Sequence, residues 1–229
     1  MENFSDPEIT GSHEEFWTFS QVSQWGSHWG YTSPQNEQLK SVLSHVFKAR
    51  QIGLKRKFAP RLVHFAQLLI WRFYLKESLT EYPIQQIMPL AYECSAQILE
   101  IDSPKNSVIE EIGAFNNPRA RNVSDFKAHF NFVTSLEYNI RLHHPSDYLN
   151  RFINPTFSEK EKKLANAIIS DSFMVPVCLV HKPSIIAEGA AIMAAAMLNN
   201  IGSVKPKTSK SLSFITDMNG FYKQKTQKA

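Results

Sequence analysis

The sequence has few cysteines and few glycines: two and eight, respectively, in 229 residues. Cys94 and Cys178 lie far apart, so they predict neither a disulfide framework nor a zinc site built from four thiolates. We therefore expect a reducing, intracellular compartment. The scarcity of glycine and of alternating β-branched runs argues against a sheet protein and favours helices joined by short turns. The predicted fold class is all-α.

Signals for secretion and for a membrane span are also missing. The stretch MENFSDPEIT is acidic and polar, whereas a secretory signal starts basic and continues apolar. The longest apolar run, residues 184–201, is rich in alanine and interrupted by Glu188 and Gly189, so it indicates a core helix rather than a membrane span. With 43% hydrophobic and 20% charged residues, we expect a folded protein without membrane contact.

The chain is basic, with a net charge of +4 and a pI near 9.0. Its lysines and arginines collect in short clusters at residues 55–57 and 160–163 and in a loose third group at residues 205–228. Such clusters are typical of a solvated surface, and they do not form the continuous basic stripe of a nucleic-acid-binding protein. We therefore do not expect direct nucleic-acid binding.

Prolines and capping residues predict where the helices begin. Ser33-Pro34 starts a helix that is expected to end near residue 51, with Gly53 just beyond it. Pro60 and Pro83 each open a further helix. The helix after Pro60 is apolar almost all round, so it is predicted to be buried.

The rest of the chain repeats this order of an amphipathic helix, a proline and a nearly wholly apolar helix. Short helices are expected at residues 107–115 and after Pro145, and a longer one over residues 124–140. Ser158 and Glu161 form a capping box for the next helix, and a very apolar helix follows Pro183. The polar tail supports one more weak helix. The pattern predicts two tandem helical bundles, each built around a central apolar helix.

Motifs that carry chemistry are absent from the sequence. It contains no phosphate-binding loop, nucleophile elbow, HExxH motif or paired-carboxylate pattern. Cys178 and His181 have the spacing of metal ligands but lack a second pair, so a buried cysteine beside a helix-capping histidine is the preferred interpretation. His143-His144-Pro145 is interpreted as a turn between the bundles. We predict no enzyme activity, no cofactor and no metal.

The segment FWTFSQVSQW, residues 16–25, is aromatic within an otherwise polar tail. Chain tails usually stay mobile unless something holds them. Its four large side chains are therefore expected either to fold onto the protein's own core or to dock on a partner; they are Phe16, Trp17, Phe19 and Trp25.

Four segments in the same order resemble cyclins. RFYLKESLTEYPIQQIMPLAYECSAQILEID (72–102) resembles the second and third helices of a cyclin box, and LHHPSDYL (142–149) resembles the boundary between two cyclin repeats. ISDSFMVPVCLVHKPSIIAEGAAIMAA (169–195) is similar to the second repeat. The aromatic segment is similar to the F-W-x-x-S stretch and closing tryptophan ahead of the first box of cyclin C. Over residues 14–200 the chain thus resembles a transcriptional cyclin, with cyclin C the best match and cyclin H next.

The resemblance implies an all-α fold of two tandem cyclin boxes, the second one short or incomplete. It implies a nuclear regulatory subunit with no active site of its own, which binds a cyclin-dependent kinase and, for a cyclin C-like protein, subunits of the Mediator kinase module. The expected divisions are a tail with the aromatic segment (1–32), a first box (33–144), a second, shortened box (145–222) and a basic tail (223–229).

The resemblance also locates a kinase-binding surface. In cyclins a lysine late in the third helix and a glutamate early in the fifth hold the kinase backbone; here Gln97 and His129 occupy those positions. Loss of two charged hydrogen bonds weakens such an interface by roughly 3–6 kcal/mol, unless Gln97 and His129 bond to each other or an apolar patch carries the contact. The candidate kinase-binding residues are Gln97, Glu100 and His129, with Lys57 and Arg61 at the edge.

Two further interpretations remain open. One is a cyclin H-like subunit of a kinase-activating complex, and the other is a cyclin-fold adaptor that has no kinase partner. The missing lysine and glutamate favour the adaptor, whereas the aromatic N-terminal segment favours the cyclin C-like subunit.

Overall fold

The computed structural model describes residues 37–112, 126–138, 140, 142–204 and 210–226. An N-terminal group of helices comprises α1 (Glu37–Lys55), α2 (Pro60–Lys76), α3 (Ile84–Ile98), α4 (Lys105–Glu111) and α5 (Phe126–Ser135). A C-terminal group comprises α6 (Ser146–Leu149), α7 (Glu159–Ser172), α8 (Val177–Val180), α9 (Pro183–Met197) and α10 (Lys210–Thr226). The described ranges contain no β-strand, and the predicted all-α class is confirmed.

The helix starts predicted from proline are confirmed where they can be seen. Pro60 is the first residue of α2, Pro83 caps α3 and Pro183 is the first residue of α9. Proline suits these positions because it lacks the backbone N–H that the first turn of a helix leaves unpaired. The predicted start at Ser33-Pro34 and the aromatic segment at 16–25 lie outside the described residues.

The prediction that α1 ends before Gly53 is wrong, because the helix continues through it to Lys55. A Cβ atom on Gly53 would lie 2.3 Å from Val63 Cγ2, so this glycine allows α1 to approach α2 closely. The left-handed residue that ends α1 is Lys57, with φ 55°. Its N–H donates to Leu54 O (3.2 Å), and the N–H of Phe58 donates to Gly53 O (2.9 Å), which is the Schellman arrangement.

Helix α2 forms the centre of the N-terminal group, as its apolar pattern predicts. Of its 17 residues, only Pro60, Arg61, Arg72 and Lys76 are not buried. Helices α1, α3 and α5 pack around it. Its ring side chains fill the interior, and that of Phe73 stacks on Phe132 of α5 with ring centroids 5.1 Å apart.

Helix α9 is the corresponding central helix of the C-terminal group, with α6, α7 and α10 packed against it. It is built largely from small residues, and a Cβ on Gly189 would lie 2.3 Å from Cδ1 of Phe214 in α10. The expected helix in the polar tail is confirmed as α10, which buries Phe214 and Met218 completely. The division of the chain into two boxes at residue 145 stays a prediction.

The capping box that begins α7 is confirmed. Glu161 N–H donates to Ser158 Oγ (3.3 Å), and Ser158 N–H donates to Glu161 Oε2 (2.6 Å). Ser203 and Asn200 also donate to this carboxylate, at 2.7 and 3.2 Å. Burial opposes the ionisation of Glu161, but the hydrogen bonds from Ser158, Ser203 and Asn200 prevail and lower its pKa to about 2. The carboxylate thus joins the start of α7 to the segment after α9.

The turn predicted at His143-His144-Pro145 is confirmed, and it contributes to a buried histidine pair. Asp147 N–H donates to His144 O (3.0 Å) in this turn. The ring of His144 is buried and lies 2.9 Å from that of His64 in α2, measured from Nε2 to Nδ1. Both rings stack on Phe173, so the pair lies between the two groups of helices.

The hydrogen bonds of this pair form one consistent chain if both rings are neutral. Ser146 N–H donates to His144 Nδ1 (3.2 Å), so His144 carries its proton on Nε2 and donates to His64. His64 then donates from Nε2 to Ser170 Oγ of α7 (2.9 Å). Burial, His144 and Arg50 lower the pKa of His64 to about 3. Burial and Arg61 lower that of His144 to about 4, although Asp147 opposes the shift.

A second polar connection between the groups involves Asp171 of α7. Arg50 of α1 donates from Nη1 to Asp171 Oδ1 at 2.7 Å, and the Tyr222 hydroxyl of α10 donates to Oδ2 at 3.2 Å. Burial and the Asp171 charge raise the pKa of Tyr222. Three helices from both groups are therefore joined at one carboxylate.

Candidate functional site

Gln97 and Glu100 lie at the C-terminal end of α3, and both are exposed. Glu100 adopts a left-handed backbone, with φ 54°. Its N–H donates to Gln97 O (3.2 Å), and that of Ile101 donates to Ala96 O (3.0 Å), which again forms a Schellman motif. The backbone thus fixes where these two candidate side chains leave the helix.

His129 of α5 lies beside the preceding turn of α3. Its Nε2 is 3.7 Å from Cys94 Sγ, and its Nδ1 is 3.5 Å from Glu93 Oε2. Glu93 precedes Gln97 by one helical turn. The structure therefore brings His129 close to the α3 segment that carries Gln97 and Glu100, as the cyclin resemblance implies for a joint surface of the third and fifth helices.

The ion pair between Glu93 and Lys105 was missed by the sequence analysis. Lys105 Nζ, from the first residue of α4, lies 2.7 Å from Glu93 Oε2, and each side chain is 18% exposed. The same oxygen contacts His129, so helices α3, α4 and α5 converge on one carboxylate. We call Glu93, Lys105 and His129 the charge cluster.

Cys94 is a structural thiol at the inner side of the charge cluster. Burial, reinforced by the charge of Glu93 and opposed by Lys105, raises its pKa to about 12. A thiol with such a pKa is neutral at physiological pH, whereas a nucleophile or a metal ligand acts as the thiolate. This environment agrees with a packing role for Cys94.

Lys57 lies in the basic cluster after α1, where its two neighbours are already paired with α4. Lys55 Nζ is 2.6 Å from Glu111 Oε2, and Arg56 contacts both Glu111 Oε1 (2.7 Å) and Glu110 Oε2 (3.0 Å). Hydrogen bonds from Lys55 and Arg56 lower the pKa of Glu111 although its burial opposes this. The cluster is therefore largely neutralised within the chain, and Lys57 itself is exposed.

Arg61 forms an ion pair with the C-terminal group of helices. Its guanidinium, at the first turn of α2, pairs with Asp147 of α6. It therefore links the two groups of helices on the side of the buried histidine pair.

Two exposed apolar side chains adjoin the candidate residues in sequence. Ile101 follows Glu100 and is 45% exposed, and Phe130 follows His129 and is 49% exposed. A surface that combines large apolar side chains with a few oriented polar groups is typical of protein–protein contacts.

The metal candidate suggested by Cys178 and His181 has other partners. Cys178 Sγ donates to Val175 O at 3.4 Å, and His181 Nε2 lies 2.8 Å from Asp217 Oδ2 of α10. Across the described ranges, no three side chains of the metal-binding types come together as a site. None of the helices in those ranges is long and apolar enough to cross a membrane.

Comparisons with known proteins place the fold. No protein-family model matches the sequence, and no curated protein matches it. A chain of the yeast TFIIK (Kin28/Ccl1/Tfb3) complex superposes with a TM-score of 0.67 at 15% identity, over 96% of this chain and 99% of that one. The match to the CAK complex of Chaetomium thermophilum bound to ATP-γ-S has a TM-score of 0.70 at 14% identity, over 98% and 81% of the two chains.

A third match is to a chain of the yeast RNA polymerase II CTD kinase complex CTDK-1, with a TM-score of 0.74 at 16% identity, over 91% of this chain and 73% of that one. The matched chains have the cyclin fold. This chain has a cyclin fold. Within that cyclin fold, the C-terminal end of α3, the start of α4 and α5 form the surface that carries Gln97, Glu100 and the charge cluster.

Proposed function

We propose that this chain is a nuclear regulatory subunit that binds a transcriptional cyclin-dependent kinase and activates or tethers it. The observation that carries the proposal is the cyclin fold, found over nearly the whole chain in chains of three kinase complexes. The subunit itself is not an enzyme; it contributes a surface rather than a catalytic group.

The kinase docks on the surface formed by α3, α4 and α5. Exposed Gln97 and Glu100 and half-buried His129 provide polar contacts, and Ile101 and Phe130 provide apolar ones. Lys57 and Arg61 lie at the edge of the contact. Such a surface buries apolar area centrally and orients the partner with a few polar groups.

The specific role that we favour is that of a cyclin C-like subunit of a Mediator kinase module. Its support is the aromatic segment ahead of the first helix, similar to the one that precedes the first box of cyclin C. In this proposal Phe16, Trp17, Phe19 and Trp25 form a short docking segment that packs on the kinase or on the box. Mediator kinase-module subunits are then further partners.

A second candidate is a cyclin H-like subunit of a kinase-activating complex. The similarity to chains of the TFIIK and CAK complexes favours this role. A third is a cyclin-fold adaptor without a kinase, which the absence of charge at Gln97 favours.

Purification of the chain from its own cells, tagged at the C-terminus and at moderate salt, separates the three. The measurement is the identity of proteins that accompany it in near-stoichiometric amounts, with an unrelated bait carrying the same tag as the control. A kinase with Mediator subunits is the expected result, and a kinase with repair-helicase subunits establishes the cyclin H-like role. Absence of any kinase overturns the proposal in favour of the adaptor.

A further inference from the structure

We propose that Lys105, held in place by Glu93, is the central polar contact of the docking surface and receives an oxygen atom of the partner. This inference deepens the proposed function and rests on it, because the partner is the kinase. The juxtaposition that carries it is the convergence of α3, α4 and α5 on the Glu93 carboxylate.

The ionisable groups of the charge cluster lie close together. Lys105 Nζ lies 2.7 Å and His129 Nδ1 3.5 Å from the same oxygen of Glu93. Lys105 and Glu93 are each 18% exposed, so the pair is mostly shielded but can still be reached from solvent. A shielded charge interacts more strongly than an exposed one because less water screens it.

The ammonium of Lys105 also has donors to offer a partner. It carries three N–H donors, and its 2.7 Å contact with Glu93 Oε2 is an ion pair in which that oxygen accepts no hydrogen bond. A carbonyl or carboxylate oxygen of a docked protein can accept from it. Glu93 fixes the ammonium in position beforehand, so that less side-chain freedom is lost on binding.

Lys105 is also less exposed than the cations of the most exposed pairs, although Lys76 at 26% and Arg50 at 28% come near it. Lys55 is 70% exposed in its pair with Glu111, and both Arg61 and Asp147 are far more exposed than Lys105. Exposed pairs contribute little to stability or binding. Lys105 follows the exposed Ile101 by four residues, so apolar surface that a partner can cover lies close to it in sequence.

The test measures how tightly the chain binds the kinase subunit recovered in the purification, produced on its own, by isothermal titration calorimetry. The variants are Lys105→Met, Glu93→Gln, the two combined, and Lys105→Arg. Lys162→Met is the matched control, because Lys162 forms a 2.7 Å pair with Glu159 on α7 of the other helical group. Thermal unfolding of each variant shows whether it folds like the parent.

Lys105→Met is expected to weaken binding at least tenfold, because it removes the donor and leaves Glu93 covered and uncompensated. The double variant is expected to bind more tightly than Lys105→Met, and Glu93→Gln more tightly than both. Lys105→Arg keeps a charged donor and is expected to stay within about threefold of the parent, as is Lys162→Met, which removes only an exposed pair.

Three results overturn the inference in different ways. If the parent binds the kinase and all Lys105 and Glu93 variants bind within twofold of it, the contact lies elsewhere while the proposed function stands. If the variants lose affinity only in proportion to their loss of thermal stability, and not in the expected order, Lys105 and Glu93 have a structural role. If the parent binds no kinase, the proposed function fails and the inference fails with it.

Discussion

The two central helices, α2 and α9, are both buried but fill their surroundings in opposite ways. Helix α2 contributes large rings, among them Trp71, Phe73 and Tyr74, which are completely buried. Helix α9 contributes alanines and Gly189, so the rings that fill its surroundings come from neighbouring helices, as Phe214 of α10 does. Helix α2 is therefore stabilised by the volume of its own rings, whereas α9 is stabilised by its close approach to neighbouring helices.

The largest expected effect comes from removing volume at α2. Trp71→Ala leaves a cavity and also removes the bond from Trp71 Nε1 to Phe173 O (3.0 Å). We expect a loss of about 3–5 kcal/mol in the free energy of unfolding, measured by denaturant titration. Phe47→Ala, at a ring that is half exposed, is the control and should change stability much less.

Acid is expected to separate the two groups of helices through the buried histidine pair. The folded-state pKa values of His64 and His144 are about 3 and about 4, below the ordinary value of 6.5. Between the folded-state pKa values and 6.5, the unfolded chain binds more protons than the folded chain. The stability that the neutral histidine pair contributes is therefore complete above pH 6.5 and is lost as the pH falls. Between pH 7 and pH 5.5 the two histidines together lower the free energy of unfolding by about 2.5 kcal/mol.

Thermal unfolding at pH 7.5, 6.5 and 5.5 measures this dependence. The double variant His64→Leu/His144→Leu is expected to be less stable at pH 7.5 but to show a flatter dependence on pH. A parent protein whose melting temperature stays constant across this range would contradict the neutral hydrogen-bonded pair.

A smaller effect is expected from preventing the close approach at α9. Gly189→Ala places a methyl group on Phe214, whose buried ring has to move, so we expect a loss of about 1–3 kcal/mol in unfolding free energy. The matched control is Gly220→Ala in α10, where nothing lies within 4 Å of the new methyl group. The control should gain up to about 1 kcal/mol from the higher helix propensity of alanine. If both alanine substitutions changed the free energy of unfolding equally, the close helix approach at α9 would be refuted. The distinction between α2 and α9 would then fail as well.

The smallest expected effect is at the end of α3. Glu100→Gly relieves a left-handed backbone and should stabilise the fold by about 1 kcal/mol, measured by denaturant titration. The same variant removes a candidate contact, so kinase affinity should fall a few-fold. An affinity that is unchanged in this stabilised variant would remove Glu100 from the binding surface.

Local signals made much of the fold predictable from sequence. Pro60, Pro183 and the Ser158–Glu161 capping box act on the residues directly around them, so their patterns were sufficient. Gly53 resembled a helix end, but its role depends on the approach of Val63, which is a tertiary contact.

The candidate site was less predictable because its contacts join different helices. Gln97 and Glu100 were placed on the surface by the cyclin resemblance, but the pairing of Glu93 with Lys105 depends on how α3 and α4 are oriented. The bond between His64 and His144 spans 80 residues of chain and has no periodic signal. The sequence did show a glutamate one helical turn before Gln97, but it gave no sign that Lys105 would be its partner.

In the proposed function, a kinase docks on the surface at α3, α4 and α5. Co-purification of Gln97→Trp tests this docking, because the exposed position can carry a bulky ring without disturbing the core. Lys163→Trp, at an exposed position of α7, is the matched control. We predict that the kinase is lost with Gln97→Trp and kept with Lys163→Trp; equal recovery of the kinase with both folded variants would contradict the account.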